Sequence, residues 1–127
     1  MNKRIHSDKA PPAIGPYSQA VAAGSFVFVS GQLPINPLKD ELIAKPFPDA
    51  VHQCLKNVRA ILQAADLDLE HLVKVGVFLK DLKNFQAFNE VYAQYFKGTL
   101  PARAVVEVSA LPRGAEIEIE GIACRPN

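Results

Sequence analysis

The chain alternates between two hydrophobic periods, and the changes between them mark its elements. Tyr17 to Ala22 and Ser25 to Ser30 are short apolar runs on either side of Ala23-Gly24, which reads as a hairpin. The second run contains Phe26-Val27-Phe28-Val29 with no polar break, so a strand buried on both faces is expected. From Pro34 to Pro48 the pattern lapses, with Pro37 and Pro46 inside it, and an irregular loop is expected. Val51, Cys54, Leu55, Val58, Ile61, Leu62 and Ala65 then recur at steps of three and four, the period of an amphipathic helix. Asp49 near its start is placed to cap free amides and to meet the positive end of the helix dipole. Val73 to Leu79 alternates as a strand. Phe85, Phe88, Val91, Tyr92, Tyr95 and Phe96 line one face of a second helix, with Asn84 as its N-cap. Two alternating runs close the chain, Arg103 to Val108 and Glu116 to Glu120, joined through Leu111-Pro112-Arg113-Gly114 as a second hairpin.

The order is hairpin, helix, strand, helix, hairpin. Each helix has one apolar stripe, so both are expected to cover one face of a mixed sheet in an α+β fold. The opposite face is left open and partly apolar. It meets either water or another copy of the chain. Cys54 falls on the buried stripe of the first helix and is expected in the core; His52, one step around, is expected to be exposed.

Composition narrows the classes. A length of 127 residues is that of one ordinary domain, expected over residues 1–127, and 49% apolar residues suffice for a core. A net charge of +1 gives no clustered basic face of the kind nucleic acid requires. No apolar stretch approaches the length of a membrane span. The basic start, Met1 to His6, has no apolar segment behind it and is not expected to be a signal peptide. Cys54 and Cys124 form no C-x-x-C motif, and with His6, His52 and His71 they offer no zinc spacing. Two such cysteines fit a reducing, cytoplasmic setting, although they also allow one disulfide. No glycine-rich phosphate loop is present. No metal or organic cofactor is therefore expected.

The chemistry concentrates in the last quarter. Arg103 enters one strand, and Glu116, Glu118 and Glu120 alternate along the next. A guanidinium fixed on a strand can fork onto a small carboxylate with two parallel hydrogen bonds. The plainer alternatives stay open: an arginine paired with a neighbouring glutamate, and glutamates on the wet side of a half-exposed strand. If the final turn centres on Pro112-Arg113, Glu118 falls opposite about Glu107. Arg103 and Glu118 are then offset by about four residues, roughly 13 Å along the strands. A three- or four-carbon acid does not span that distance. If both residues serve one site, a second subunit supplies one of them.

Five segments carry a resemblance. They are Ile14-Gly15-Pro16-Tyr17-Ser18-Gln19-Ala20-Val21, Val29-Ser30-Gly31-Gln32-Leu33-Pro34, Asn89-Glu90-Val91-Tyr92, Pro101-Ala102-Arg103 and Ile117-Glu118-Ile119-Glu120. In this order and at these separations they resemble the RidA/YjgF family of enamine/imine deaminases, from about Ile5 to Arg125. The resemblance implies a chorismate-mutase-like fold with a six-stranded mixed sheet and two helices on one face. It also implies a homotrimer whose sheets form a central barrel, with sites in the clefts between subunits. The implied reaction is hydrolysis of short 2-imino acids to 2-oxo acids and ammonia, without a cofactor. Carried over, Arg103 holds the substrate carboxylate and Glu118 positions and activates water. Tyr17 lines the cleft, Ser30 and the backbone of Gly31 add polar contacts, and Asn89 lies near the cleft. The family often has cysteine where this chain has Val105; a backbone carbonyl there still serves to hold an imine nitrogen, whereas a thiol role is lost. Asp66, where glycine is common, is read as a turn variant. Two other roles go with such a fold: a non-catalytic module that binds small acids or acts like a chaperone and, ranked lowest, RNA cleavage.

Overall fold

The computed structural model describes residues 2–127. Its elements are β1 (Lys3–Ile5), β2 (Ala20–Ala23), β3 (Phe26–Gln32), β4 (Ile35–Asn36), β5 (Glu41–Leu42), α1 (Phe47–Gln63), β6 (Leu72–Leu79), α2 (Phe85–Tyr92), β7 (Ala102–Glu107) and β8 (Ile117–Cys124). Six strands form one sheet in the order β1-β2-β3-β8-β6-β7. All neighbours are antiparallel except β6 and β7, which run parallel because α2 carries the chain back between them.

The helix periods translate directly into packing. Val51, Cys54, Leu55, Val58, Ile61 and Leu62 of α1 are buried against Val27, Val29, Val75, Val77, Leu79, Ile117 and Ile119 of the sheet. The Cys54 thiol donates to the Gln32 carbonyl at 3.3 Å, and both cysteines are free thiols. Pro46 caps α1 in an extended conformation, and Pro48 falls in its first turn, where a missing N–H leaves no bond unmade. Asp49 makes no capping hydrogen bond, contrary to expectation; it sits in the first turn and serves only the dipole. At the other end Leu67 N–H donates to Leu62 O, and Asp66 N–H to Gln63 O. This is the Schellman arrangement, and it places Asp66 at φ 60, which explains the turn-variant reading.

Four further expectations are corrected. β3 is not buried on both faces: Phe26 and Phe28 are 45% and 46% exposed, because alternate side chains of a strand point away from the helices. The stretch from Pro34 to Pro48 contains the small β4–β5 ladder, with Ile35 opposite Leu42. His52 is half-buried, with its Nδ1 2.6 Å from the Tyr95 hydroxyl. The final hairpin does not form. β7 pairs with β6 alone, at the edge, while β8 lies between β3 and β6 with both of its own edges satisfied. Asn84 does precede α2, without a side-chain cap; the helix ends at Tyr92, and Tyr95 and Phe96 lie in the turn beyond it.

Candidate functional site

Arg103 lies on the edge strand β7 and faces α2. Its guanidinium carbon sits 4.9 Å from the ring centre of Tyr92, 5.4 Å from Phe88 and 5.8 Å from Phe85. Three rings thus form a shelf beneath the cation, whose charge their π-faces favour. Among the described residues the ion pairs are His6–Asp8, Arg59–Asp68 and Arg113–Asp40, so Arg103 has no carboxylate partner. The reading of Arg103 as one half of a structural ion pair is thereby removed. A recess of about 440 Å³ opens beside it, lined by Asn89, Tyr92, Phe96, Leu100 and Pro101. Asn89 therefore joins Arg103. Val105 lies two residues further along β7 on the same side, packed against the core.

Glu118 belongs to a different place. Along β8, Ile117, Ile119 and Gly121 are buried on the helix side, so Glu118 and Glu120 project from the open face. The ladder between β3 and β8 shifts register between Val29 and Gln32, around Ser30-Gly31. There the Glu118 side chain crosses directly over Gly31. A Cβ on Gly31 would stand 2.7 Å from Glu118 Cδ and Oε2. Only glycine gives the carboxylate that bed. Tyr17, Ser30, Gly31, Gln32, Arg113 and Glu118 line a hollow of about 630 Å³.

The Tyr17 loop is held by buried Gln19, which accepts from Ser7 N–H at 2.7 Å and donates to the carbonyls of Ser7 and Pro11. Ser30 anchors the other side. Its hydroxyl donates to Ser18 O at 2.7 Å and its N–H to Gln19 O at 2.9 Å. The Ser30 proton is committed, so towards a ligand this hydroxyl acts as an acceptor. Burial pushes the Glu118 carboxyl above its usual range, and the Glu120 charge adds to the effect. Burial of the Cys54 thiol itself pushes it well above its usual range, and the Glu118 charge adds to the effect.

The expected residues thus fall into two groups. Arg103, Asn89 and Val105 face the helix layer at one edge; Tyr17, Ser30, Gly31 and Glu118 gather on the open face. Arg103 aligns through Val75 with Gly121, three residues from Glu118 and two strands away. That is roughly 10 Å along the strands and a similar distance across them. The two residues are apart, as the sequence reading expected, but by three residues along and two strands across rather than by four residues between paired strands of a hairpin. One group can grip an anion, and the other can take a proton from water. The aromatic shelf was missed because the α2 stripe reads as packing. Its signal was the spacing of Phe85, Phe88 and Tyr92 on a helix leading straight into the Arg103 strand.

Among the described residues no group of three or more His, Cys, Asp or Glu side chains is arranged to hold a metal ion, and no helix is long and apolar enough to cross a membrane. The family model described as Endoribonuclease L-PSP matches residues 7–125. A RutC family protein of Pyrococcus horikoshii is 49% identical over 97% of this chain and 98% of its own length. A mouse protein named 2-iminobutanoate/2-iminopropanoate deaminase is 46% identical over 97% of this chain and 91% of its own. The crystal structure of E. coli TdcF with bound serine superimposes with a TM-score of 0.94 at 44% identity, covering 98% of this chain and 99% of that one. The six-stranded mixed sheet with its two helices is the fold that the five segments implied. The chain belongs to the Endoribonuclease L-PSP family, the RidA/YjgF family that its motifs resemble.

Proposed function

We propose that this protein is an enamine/imine deaminase. It hydrolyses short 2-imino acids, such as 2-iminopropanoate and 2-iminobutanoate, to the 2-oxo acid and ammonia. The observation that carries this reading is Arg103: a cation held on an aromatic shelf, without a protein carboxylate, beside an open recess. It suits a ligand that brings its own carboxylate. The names of the mouse deaminase and of the serine-bound E. coli relative point to the same class of small amino-acid-derived ligand.

The chemistry asks little of the protein. Arg103 forks onto the substrate carboxylate and fixes C2 in place. Glu118 takes a proton from a water as its oxygen adds to C2, then returns a proton to the departing nitrogen. Water is consumed and ammonia released, so no redox partner is needed. Positioned acid–base catalysis of this kind contributes about 10²- to 10⁴-fold. A carboxyl raised above its ordinary range is a better proton donor and acceptor near neutrality than an exposed one. Tyr17 and Gly31 wall the reacting end, Ser30 accepts a hydrogen bond there, and Asn89 and the Val105 carbonyl flank the arginine side.

The two groups become one site when a second protomer brings its open face to the β7 edge of the first. We assign the active form to an oligomer on this ground, with the homotrimer that the family resemblance implies as its expected state. Phe26, Phe28 and Val106, each about 45% exposed, supply the apolar surface such an assembly would cover. RNA cleavage has weaker support. His6 contacts Asp8, His52 contacts Tyr95, and His71 caps the Asp68 turn, so no two histidines converge.

The test is direct. The protein is added to a serine or threonine dehydratase reaction containing a semicarbazide imine trap. Faster 2-oxo acid release with less trapped imine is expected. Unchanged trapping, with 2-oxo acid binding intact, would make the protein a binding module.

A further inference from the structure

We infer that Tyr92 and Asn89 are positioning residues that lock the Arg103 fork through a hydrogen-bond relay behind the substrate. The inference rests on the deaminase reading and extends it to two groups whose hydrogen bonds the fold leaves unmade. Tyr92 is 7% exposed, yet its hydroxyl has no hydrogen-bond partner among the described residues. The same holds for Asn89 Oδ1. Buried polar atoms are nearly always paired, and a phenylalanine at 92 would keep every ring contact without the unpaired hydroxyl. Those contacts are firm: the Tyr92 ring stacks on Phe96 at 4.3 Å and packs against Phe88 at 5.2 Å. The hydroxyl is therefore not needed to hold the ring.

What it faces is complementary. Asn89, Tyr92 and Arg103 line one recess. Asn89 and Tyr92 stand three residues apart on α2, and so on the same helix face. Arg103 carries five N–H donors and no acceptor. None of the hydrogen bonds made by arginines among the described residues belongs to it. Two acceptors without donors thus adjoin a set of donors without acceptors.

The relay forms when the fork turns from the Tyr92 ring face, where its carbon lies 4.9 Å from the ring centre, towards the hydroxyl: an Arg103 N–H then donates to the Tyr92 oxygen, and the Tyr92 O–H donates to Asn89 Oδ1. The N–H groups on the outer side then remain free for the ligand carboxylate. On this account Asn89 acts on the arginine and does not touch substrate. A hydrogen bond between a neutral and a charged group is equivalent to about tenfold to a hundredfold in an equilibrium constant. Part of that factor sets how well the fork is preorganised.

The experiment is Tyr92→Phe in the full-length protein, with KM and kcat measured on 2-iminopropanoate and the thermal midpoint recorded alongside. KM should rise about tenfold with kcat within threefold, and the midpoint should stay level or rise. A structural hydroxyl would instead lower the midpoint and leave KM alone. A second variant, Asn89→Gln, keeps a neutral amide acceptor without placing a carboxylate beside Arg103 and should retain KM within about threefold, while Asn89→Leu should match Tyr92→Phe. Wild-type KM in Tyr92→Phe, with the wild type active, overturns this inference alone. A wild type without deaminase activity overturns the deaminase reading and this inference with it.

Discussion

Gly31→Ala isolates the placement of the Glu118 carboxylate from the backbone. Gly31 is not among the glycines with positive φ, so alanine fits its backbone without strain. The methyl has one consequence, a contact of 2.7 Å with Glu118 Cδ and Oε2 where ordinary contact begins near 3.4 Å. Glu118 is a flexible side chain, so it yields. The carboxylate retreats by about 0.7 Å or swings to another rotamer, at less than about 1 kcal/mol in stability. Catalysis is less forgiving: a displacement of about 1 Å in a reacting group costs on the order of 10²-fold. We expect kcat on 2-iminopropanoate to fall about 10- to 100-fold, or roughly 1.4 to 2.7 kcal/mol in the barrier. KM should change by less than about threefold, since Arg103 lies elsewhere. The assay follows imine loss in competition with semicarbazide, with thermal unfolding as the folding control. A variant that keeps full kcat would mean that the carboxylate over Gly31 is not the reacting group.

Other outcomes follow from the same geometry. Arg103→Ala should raise KM at least about tenfold and lower kcat as well, because the fork both binds and orients; steady-state kinetics with wild-type kcat/KM would remove Arg103 from the site. Glu118→Gln should bind 2-oxo acid normally and lose rate about 10²-fold or more, measured by calorimetry beside turnover. Because the Glu118 carboxyl is raised by burial and then by Glu120, the acid limb of the kcat profile should lie above the ordinary glutamate range. Glu120→Gln should move that limb to lower pH, and an unmoved limb would break the link between the two carboxylates. The linked stability has the opposite sense: a carboxyl whose folded pKa exceeds its unfolded pKa contributes stability below the unfolded value, which is lost as pH rises through the folded one. Denaturant titrations should therefore find Glu118→Gln with a flatter stability profile across that interval than the wild type. Finally, inactive Arg103→Ala and inactive Glu118→Gln proteins, dissociated and reassembled together in equal amounts, should regain about a quarter of wild-type activity if each site draws one residue from each of two protomers. No recovery in such mixtures would place both residues in a single chain.

The helices and most strands were legible because their hydrophobic periods are clean, as with Val51 to Ala65 at helical steps and Val73 to Leu79 alternating. The pairing of the strands was not. Nothing in the alternation of Arg103 to Val108 says whether its neighbour is β6 or β8; the α2 crossover decides that, and it is a tertiary fact. For the same reason Phe26-Val27-Phe28-Val29 looked two-sided, since an open sheet face awaiting a partner reads like a core. The site residues were named from motifs. Their division into two groups came from the faces of the sheet, which depend on register. The crowding of Glu118 over Gly31 and the unpaired Tyr92 hydroxyl depend on atomic positions that no pattern of residue types encodes.

With Arg103 proposed as the anion grip and Glu118 as the proton carrier, their places on opposite sides of one sheet tie chemistry to crowding. On that proposal a freshly made chain would fold around its own core and still be inert, owning two unfinished halves that never meet. Below the concentration at which copies associate, specific activity would collapse with dilution even though each chain remained folded.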